Sequence, residues 1–316
     1  MLPNPLPFEQ DICDLELAVH KLEAADSTRH RDELKLLRTQ VKALLKSRYS
    51  QLTAWETVLV SRHVNRPQTV DYIDLMFEEF VELHGDRAFG DDRAIRTGFA
   101  RIEDFKVLLI GHQKGRTLKE RQECFYGCAH PEGYRKALSK MELAAKYKLP
   151  IVCLIDTPGA YPGIGAEERG QSQLIADSIL RMTQLETPII CVVIGEGGSG
   201  GALGIGVGDH VAMMQYAYYS VISPEGCAGI LWKTANETTK PKAAAALRLT
   251  ATDLQAVNAV DEVISEPIGA AHRAPREAAN SLRLSITRKL KELTQLGTKE
   301  LLDRRYAKYR NVGRHE

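Results

Sequence analysis

Two glycine-rich turns, each placed directly after a short apolar run, constrain the fold of this chain more than any other feature. The first glycine turn is Asp156-Thr-Pro-Gly-Ala-Tyr-Pro-Gly163, and the second is Gly195-Glu-Gly-Gly-Ser-Gly-Gly-Ala202. The runs before them, 151–155 and 189–194, are apolar and rich in β-branched residues, which is typical of strands buried on both faces. Two buried strands therefore deliver two backbone-rich turns to one edge of a sheet.

The density of glycine in these turns indicates the chemistry of the site. Glycine lets backbone N–H groups approach a ligand closely, and the start of a helix leaves such groups without an intrahelical acceptor. Their natural guest is an anion or a developing oxyanion. We therefore expect a site built mainly from backbone amides.

Strands and helices alternate along the middle of the chain, which predicts a mainly parallel α/β core with helical extensions at both ends. An N-terminal helical hairpin is expected to break at Ser27-Thr-Arg. We divide the chain into an N-terminal hairpin (1–60), a core (61–265) and a C-terminal helical extension (266–316). Helices are predicted at 70–83, 131–147, 166–184, 228–247, 251–257 and 274–308, and strands at 95–102, 106–112, 150–155, 188–194, 210–222 and 260–265.

Composition excludes several classes of function. The chain has 316 residues with 42 basic and 41 acidic side chains, so bulk charge gives no reason to expect a nucleic-acid partner. Its apolar runs are too short to cross a bilayer, and its first residues lack the pattern of a signal peptide. The six scattered cysteines suggest neither a disulfide framework nor a metal site. We expect a cytoplasmic protein without a metal.

Short motifs that overlap the two turns suggest other functions. Gly195-x-Gly197-x-x-Gly200 matches the dinucleotide fingerprint, but the crossover helix and the acid that this motif needs do not follow. Asp156-Thr-Pro-Gly159 is similar to a loop of GTPases, but the chain has no phosphate-binding loop of the G-x-x-x-x-G-K-[ST] type.

The alternative that stays open is a serine hydrolase. Gly197-x-Ser199-x-Gly201 matches the nucleophile elbow, and Asp261 and His272 follow in the chain order of such a triad. The match is short, and glycine is dense in this segment, so we keep Ser199 as an alternative nucleophile and not as the main interpretation.

Longer motifs carry a specific resemblance. Both glycine turns, Ser223-Pro-Glu-Gly-Cys227, Gly111-His-Gln-Lys-Gly-Arg116 and Pro131-Glu-Gly-Tyr-Arg-Lys-Ala137 together closely resemble the alpha subunits of bacterial acetyl-coenzyme A carboxylase carboxyltransferase. The resemblance runs over essentially the whole chain. It implies a crotonase-like α/β fold, a spiral of ββα units, with helical extensions at both ends.

The resemblance also implies a reaction and partners. The reaction is transfer of a carboxyl group from carboxybiotin to acetyl-CoA, giving malonyl-CoA, the first committed step of fatty acid biosynthesis. Biotin is held by a separate biotin carboxyl carrier protein, and ATP is used by a separate biotin carboxylase. The expected assembly is an α2β2 heterotetramer with a beta subunit that carries a zinc ribbon.

Taken with the resemblance, the turns suggest roles for particular residues. The amides of Gly200 and Gly201 are predicted to stabilise an oxyanion, with Gly197 and Gly198 shaping the turn and the 159–163 loop as the alternative place for that site. Arg116 is predicted to bind the migrating carboxylate through the paired N–H donors of its guanidinium. Lys114 is predicted to bind the same carboxylate or a CoA phosphate. The remaining predicted substrate-binding residues are Tyr161, which is otherwise a core residue, and Gly159 and Gly163.

Overall fold

The computed structural model describes residues 4–26 and 30–312, so the predicted break at 27–29 lies outside the described residues. The strands are β1 (Glu78–Glu82), β2 (Ile95–Ile102), β3 (Phe105–His112), β4 (Ile151–Thr157), β5 (Ile189–Gly198), β6 (His210–Met214), β7 (Tyr218–Ser220) and β8 (Glu262–Ile264). The helices are α1 (Gln10–Asp26), α2 (Arg31–Tyr49), α3 (Ala54–Ser61), α4 (Thr69–Met76), α5 (Leu118–Glu123), α6 (Pro131–Lys146), α7 (Ile164–Glu168), α8 (Gln171–Gln184), α9 (Ser199–Leu203), α10 (Pro224–Trp232), α11 (Thr239–Leu247), α12 (Ala251–Ala256), α13 (Pro275–Leu293) and α14 (Thr298–Asn311). Two short 3-10 turns cover Pro7–Glu9 and Phe125–Gly127.

The strands form one sheet in the order β1-β2-β3-β4-β5-β6-β8, and β7 pairs with the end of β5. The pairs β1-β2 and β2-β3 are antiparallel, whereas every pairing from β3 onward is parallel. Each residue of β4 and β5 is buried, as expected for strands covered on both faces. The predicted, mainly parallel α/β core with helical ends is confirmed.

The helix predicted at 70–83 is wrong in its second half. Helix α4 ends at Met76, Phe77 is extended (φ −111°, ψ 151°), and the next five residues form the edge strand β1. The aromatic ring of Phe80 lies where a Cβ at Gly98 would stand, 2.4 Å away, so the absence of a side chain on β2 makes room for it. This cross-strand packing outweighs the helical spacing of the apolar residues.

Four other predicted elements are interrupted. The predicted helix 228–247 divides into α10 and α11, and the predicted helix 274–308 divides into α13 and α14. The strand predicted at 210–222 splits into β6 and β7, because β5 continues to Gly198 and β7 pairs with that extension instead of prolonging β6. The helix predicted at 166–184 splits into α7 and α8 at Gly170, whose φ of +81° is left-handed and favours glycine.

The two terminal regions meet over the core. Glu9 is fully buried, and its carboxylate accepts hydrogen bonds from Arg273 (2.8 Å) and from the Tyr49 hydroxyl (2.8 Å). Tyr49 also packs edge-on against Tyr216 at 5.6 Å between ring centroids. The division at residues 60 and 265 stays a prediction.

Candidate active site

The two glycine turns touch each other, backbone against backbone, at the carboxyl ends of β4 and β5. A Cβ added at Gly198 would lie 2.1 Å from the Pro158 carbonyl oxygen, and one added at Gly201 would lie 2.5 Å from the Ala160 nitrogen. Neither residue is among the left-handed glycines of the chain. Glycine at these two positions is therefore required by close approach and not by unusual backbone angles.

The second glycine turn is less loop-like than its sequence suggests. Residues 195–198 complete β5, and the short helix α9 begins at Ser199, which has a left-handed φ of +51°. Gly200 and Gly201 lie in the first turn of α9, where N–H groups have no intrahelical acceptor. At Gly200 an added Cβ would lie 3.7 Å from its nearest neighbour, Ile175, which is an ordinary van der Waals contact, so close approach does not require glycine here.

An apolar pocket of about 760 Å³ opens beside α9. Ser199 and Gly200 form part of its rim, whereas Gly201 is buried behind them. The walls come from β6, β7 and several helices, and they include Leu203, Val207, Tyr219, Leu247, Leu254 and Tyr309. We call this space the apolar pocket.

A second, polar cavity of about 350 Å³ lies where β3, β4 and β5 end. Lys114 lies between two acids, 2.5 Å from Asp156 and 2.7 Å from Glu196. The second oxygen of Glu196 accepts hydrogen bonds from Arg62 (2.7 Å) and from the Tyr218 hydroxyl (2.8 Å). Charges of both signs thus meet at the base of this polar cavity.

These charges shift one another's protonation. Burial alone would raise the pKa of Glu196, but Lys114 and Arg62 outweigh it and lower that pKa to about 2. Burial raises the pKa of Asp156, and Lys114 offsets only part of this. Burial alone would lower the pKa of Lys114, but Asp156 and Glu196 raise it. Lys114 is therefore held as a cation between its partners.

Arg116, the residue predicted to bind the carboxylate, is exposed, and its guanidinium is hydrogen-bonded to residues outside the strand ends. Its guanidinium donates to the Asp71 carboxylate (2.6 Å) and to the Val64 carbonyl (3.1 Å), and it does not line the polar cavity. Its neighbour Lys114 does line that cavity. The roles predicted for these two cations stay predictions.

Tyr161, which lies in the first glycine turn, forms an aromatic cluster with His130 beside the site. The ring of Tyr161 stacks on His130 at 4.0 Å between centroids, and it lies 2.4 Å from the place of a Cβ on Gly163. Gly159, with φ +155°, donates its N–H to the Thr157 hydroxyl at 3.1 Å. The substrate-binding roles of Tyr161, Gly159 and Gly163 stay predictions.

Sequence reasoning missed most of the polar cavity. Arg62 comes from the end of α3, far away in sequence, and no motif marks it. Asp156 lies near the end of β4, and its carboxylate accepts the Glu196 N–H at 2.9 Å. The one available signal was Glu196 itself, an acid inside an otherwise apolar and glycine-rich segment.

The residues of the alternative triad are engaged with different partners. His272 stacks on His63 at 4.0 Å and lies 3.4 Å from the Tyr49 hydroxyl. Asp261 accepts from Lys308 (2.5 Å) and from the Val211 N–H (2.7 Å). Neither is hydrogen-bonded to Ser199 within the described residues, so the geometry gives the serine hydrolase no support.

The described residues contain neither a membrane-spanning helix nor a cluster of metal ligands. No helix among residues 4–26 and 30–312 is long and apolar enough to cross a membrane. Within the same ranges, no group of three or more His, Cys, Asp or Glu side chains is arranged to hold a metal ion.

Comparison with solved structures defines the class. The chain is similar to transcarboxylase 12S (TM-score 0.56, 21% identity, 74% of this chain but only 45% of that one). It is also similar to a chain of the Pseudomonas malonate decarboxylase hetero-tetramer (TM-score 0.54, 14% identity, 69% and 86% covered). The fold is the crotonase-like α/β fold that the resemblance implied.

Comparison of sequences is more specific. The family described as acetyl co-enzyme A carboxylase carboxyltransferase-like matches residues 5–313. The acetyl-coenzyme A carboxylase carboxyl transferase subunit alpha of Rhodopirellula baltica is 58% identical over 310 residues, covering 98% of this chain and 97% of that protein. The subunit of the same name from Methylococcus capsulatus is 51% identical over 314 residues, covering 98% and 97%. The chain belongs to the acetyl-coenzyme A carboxylase carboxyltransferase family, which confirms the predicted resemblance and disfavours the serine hydrolase.

Proposed function

We propose that this chain is the alpha half of a carboxyltransferase that moves a carboxyl group from carboxybiotin to acetyl-CoA and so produces malonyl-CoA. The observation that carries the proposal is the apolar pocket with the first turn of α9 at its rim. Membership of the family supports it independently. The proposed place of the reaction is the cytoplasm.

The proposed assembly has several parts. A zinc-ribbon beta subunit completes an α2β2 heterotetramer, a biotin carboxyl carrier protein brings biotin, and a biotin carboxylase uses ATP to load it. The names of the relatives, which specify an alpha subunit, support the need for a second kind of chain.

The apolar pocket fits a biotin head group. Its walls are mainly aliphatic and aromatic, and polar atoms at its rim include the Ser199 hydroxyl and the Gly200 backbone. A fused ring with one polar edge would bury its apolar part against Leu203 and Val207. When bound, carboxybiotin supplies the carboxyl group that is transferred.

The chain's own contribution is electrostatic and geometric. The N–H groups of Gly200 and Gly201, at the start of α9, are proposed to donate to the oxygen that gains negative charge on the ureido edge. Such preformed donors stabilise developing charge without reorganisation. Gly198 lets β5 run close to the first glycine turn, and Gly197 leaves room for the Tyr219 ring of β7. Both glycines are proposed to set the position of these donors.

Other predicted residues have narrower proposed roles. Arg116 is proposed to bind the migrating carboxylate after exchanging Asp71 for it, because a guanidinium binds carboxylates through paired donors. Lys114 is proposed as a cation at the polar cavity that attracts the carboxylate or a CoA phosphate. Tyr161, Gly159 and Gly163 are proposed to border the substrates from the first glycine turn.

A reconstitution experiment tests the proposed function. The purified chain is mixed with free biotin and malonyl-CoA, with and without the beta subunit, and decarboxylation of malonyl-CoA is measured. We expect no turnover from the chain alone and turnover when the beta subunit is added. Robust turnover by the chain alone, or no turnover by the assembled pair, would contradict the proposal.

A further inference from the structure

Strand β5 contains an irregularity immediately before the second glycine turn. Ile155 pairs with Val193 and Thr157 pairs with Gly197, so one step of two residues on β4 corresponds to four residues on β5. β5 also changes its second neighbour here: residues 190–193 pair with β6, whereas 196–198 pair with β7. The bulge therefore decides where residues 197–201 leave the sheet.

Backbone groups that have no strand partner at the bulge form hydrogen bonds with buried side chains. The Ile194 carbonyl accepts from Nε of Arg66 at 2.8 Å, and the Glu196 N–H donates to Oδ1 of Asp156 at 2.9 Å. Gly195 leaves the space for this, because a Cβ there would lie 2.4 Å from the same Asp156 oxygen. Unpaired backbone groups in a buried strand are costly, so these contacts specify the shape of the bulge.

Lys114 joins these contacts into one network. Its ammonium donates to the same Asp156 oxygen that accepts the Glu196 N–H, and also to the Glu196 side chain. On the far side, Arg66 is held by a two-pronged ion pair with Glu266 at 3.0 and 2.7 Å. Lys114, in the loop after β3, thus holds a residue at the start of each glycine turn.

We infer that Lys114 and Asp156 are positioning residues, which hold the β5 bulge so that the amides of Gly200 and Gly201 keep their place against the first glycine turn. The inference rests on the proposed function of those amides. Removing one partner of a buried ion pair leaves an uncompensated charge, whereas removing both charges together is often tolerated. On this inference Lys114 acts through the backbone, which replaces the direct attraction of the carboxylate or of a CoA phosphate proposed above.

The raised pKa of Asp156 agrees with this arrangement. Without the Lys114 ammonium, the buried Asp156 carboxyl would take up a proton or draw water into the bulge. Either change alters the acceptor of the Glu196 N–H. The effect would pass directly to Gly198 and Gly201, because both pack without side chains against residues 158–160.

The test compares Lys114→Met, the charge-neutral double variant Lys114→Met with Asp156→Asn, and Lys119→Met as a control at an exposed lysine of α5. Turnover of malonyl-CoA by the assembled enzyme is measured as kcat and KM, and hydrogen–deuterium exchange is measured in peptides that cover 156–163 and 195–203. We expect Lys114→Met to lower kcat at least tenfold with KM changed less than threefold, and to speed exchange in both peptides. The double variant should recover at least threefold in kcat and part of the protection.

Two results would overturn the inference. One is a Lys114→Met enzyme with a raised KM, unchanged kcat and unchanged exchange, which is the behaviour of a lysine that contacts the substrate. The other is a double variant that is no better than Lys114→Met in either measurement. The exchange comparison does not need activity, so it stays informative if the wild-type assembly shows no turnover, a result that would refute the proposed function separately.

Discussion

The polar cavity is lined by Glu196 of β5, and the apolar pocket is lined by Ser199 and Gly200 of the helix that follows β5, yet the two spaces have opposite chemistry. The cavity at Lys114, Asp156 and Glu196 is filled with paired charges that hold one another. The pocket at Gly200 has mainly apolar walls, and the first turn of α9 lies beside it. Charges that already pair with one another are suited to holding the backbone in place, so a cluster of ionisable groups does not by itself mark the place of reaction.

The largest expected effect comes from breaking the contact between the two turns. Gly201→Val would force a branched side chain into the backbone of residues 159 and 160, where even a Cβ stands at 2.5 Å. We expect at least a hundredfold loss of turnover in the reconstituted enzyme, about 2.7 kcal/mol. Gly229→Val is the control, because a Cβ there has no neighbour within 4 Å.

Assembly of the Gly201→Val variant is checked by size-exclusion chromatography with the beta subunit. A correctly assembled variant with near-normal turnover would contradict the proposed position of the oxyanion donors and favour the 159–163 loop.

A smaller loss of turnover is expected for Gly200→Ala. This variant tests substrate binding separately from folding, because the stability of the chain should not change. Gly200→Ala adds a methyl group that the free chain accommodates, 3.7 Å from Ile175. We expect unfolding in urea to be unchanged within about 1 kcal/mol and turnover to fall roughly tenfold, about 1.4 kcal/mol, because the substitution changes a residue that lines the pocket. Unchanged turnover would argue that no substrate approaches this rim.

In the polar cavity we expect an effect of pH on the free energy of unfolding. The pKa of Glu196 is lowered to about 2 in the folded chain from 4.5, so its ionisation stabilises the fold fully above about pH 5. This contribution is lost as the pH falls through the range from 4.5 to 2. The difference in free energy of unfolding between wild type and Glu196→Gln should therefore be constant from pH 6 to 8 and shrink below pH 4.5.

Urea titrations between pH 3 and pH 8 measure this difference. Glu237→Gln, at a carboxylate that is 86% exposed, should differ little from wild type across the same range. A wild-type advantage over Glu196→Gln that does not shrink in acid would contradict the lowered pKa.

The smallest effect is expected at Ser199. Ser199→Ala should retain turnover within about tenfold, or 1.4 kcal/mol, because the backbone amides beside it suffice for the proposed chemistry. Ser199→Gly should fold at least as well, since the φ of +51° suits glycine. Stoichiometric labelling of Ser199 by a serine-directed phosphonate would revive the hydrolase interpretation.

The buried strands β4 and β5, the glycine turns that follow them and the family were all predictable from the sequence. These features depend on local patterns: continuous apolar runs, dense glycine and long motifs. The sequence also predicted the helical ends, since apolar residues there repeat with a helical period.

The contacts of the glycines and of the charged residues could be seen only in the tertiary structure. Phe80 belongs to a strand because Gly98 on β2 leaves room for its ring, and Gly201 is required because another loop presses against it. Lys114, Asp156 and Glu196 lie far apart in sequence and meet because β3, β4 and β5 end at one edge of the sheet, and Arg62 reaches them from the end of α3. Local patterns encode which elements form, whereas contacts between distant segments depend on how those elements pack, and that information is spread over the whole chain.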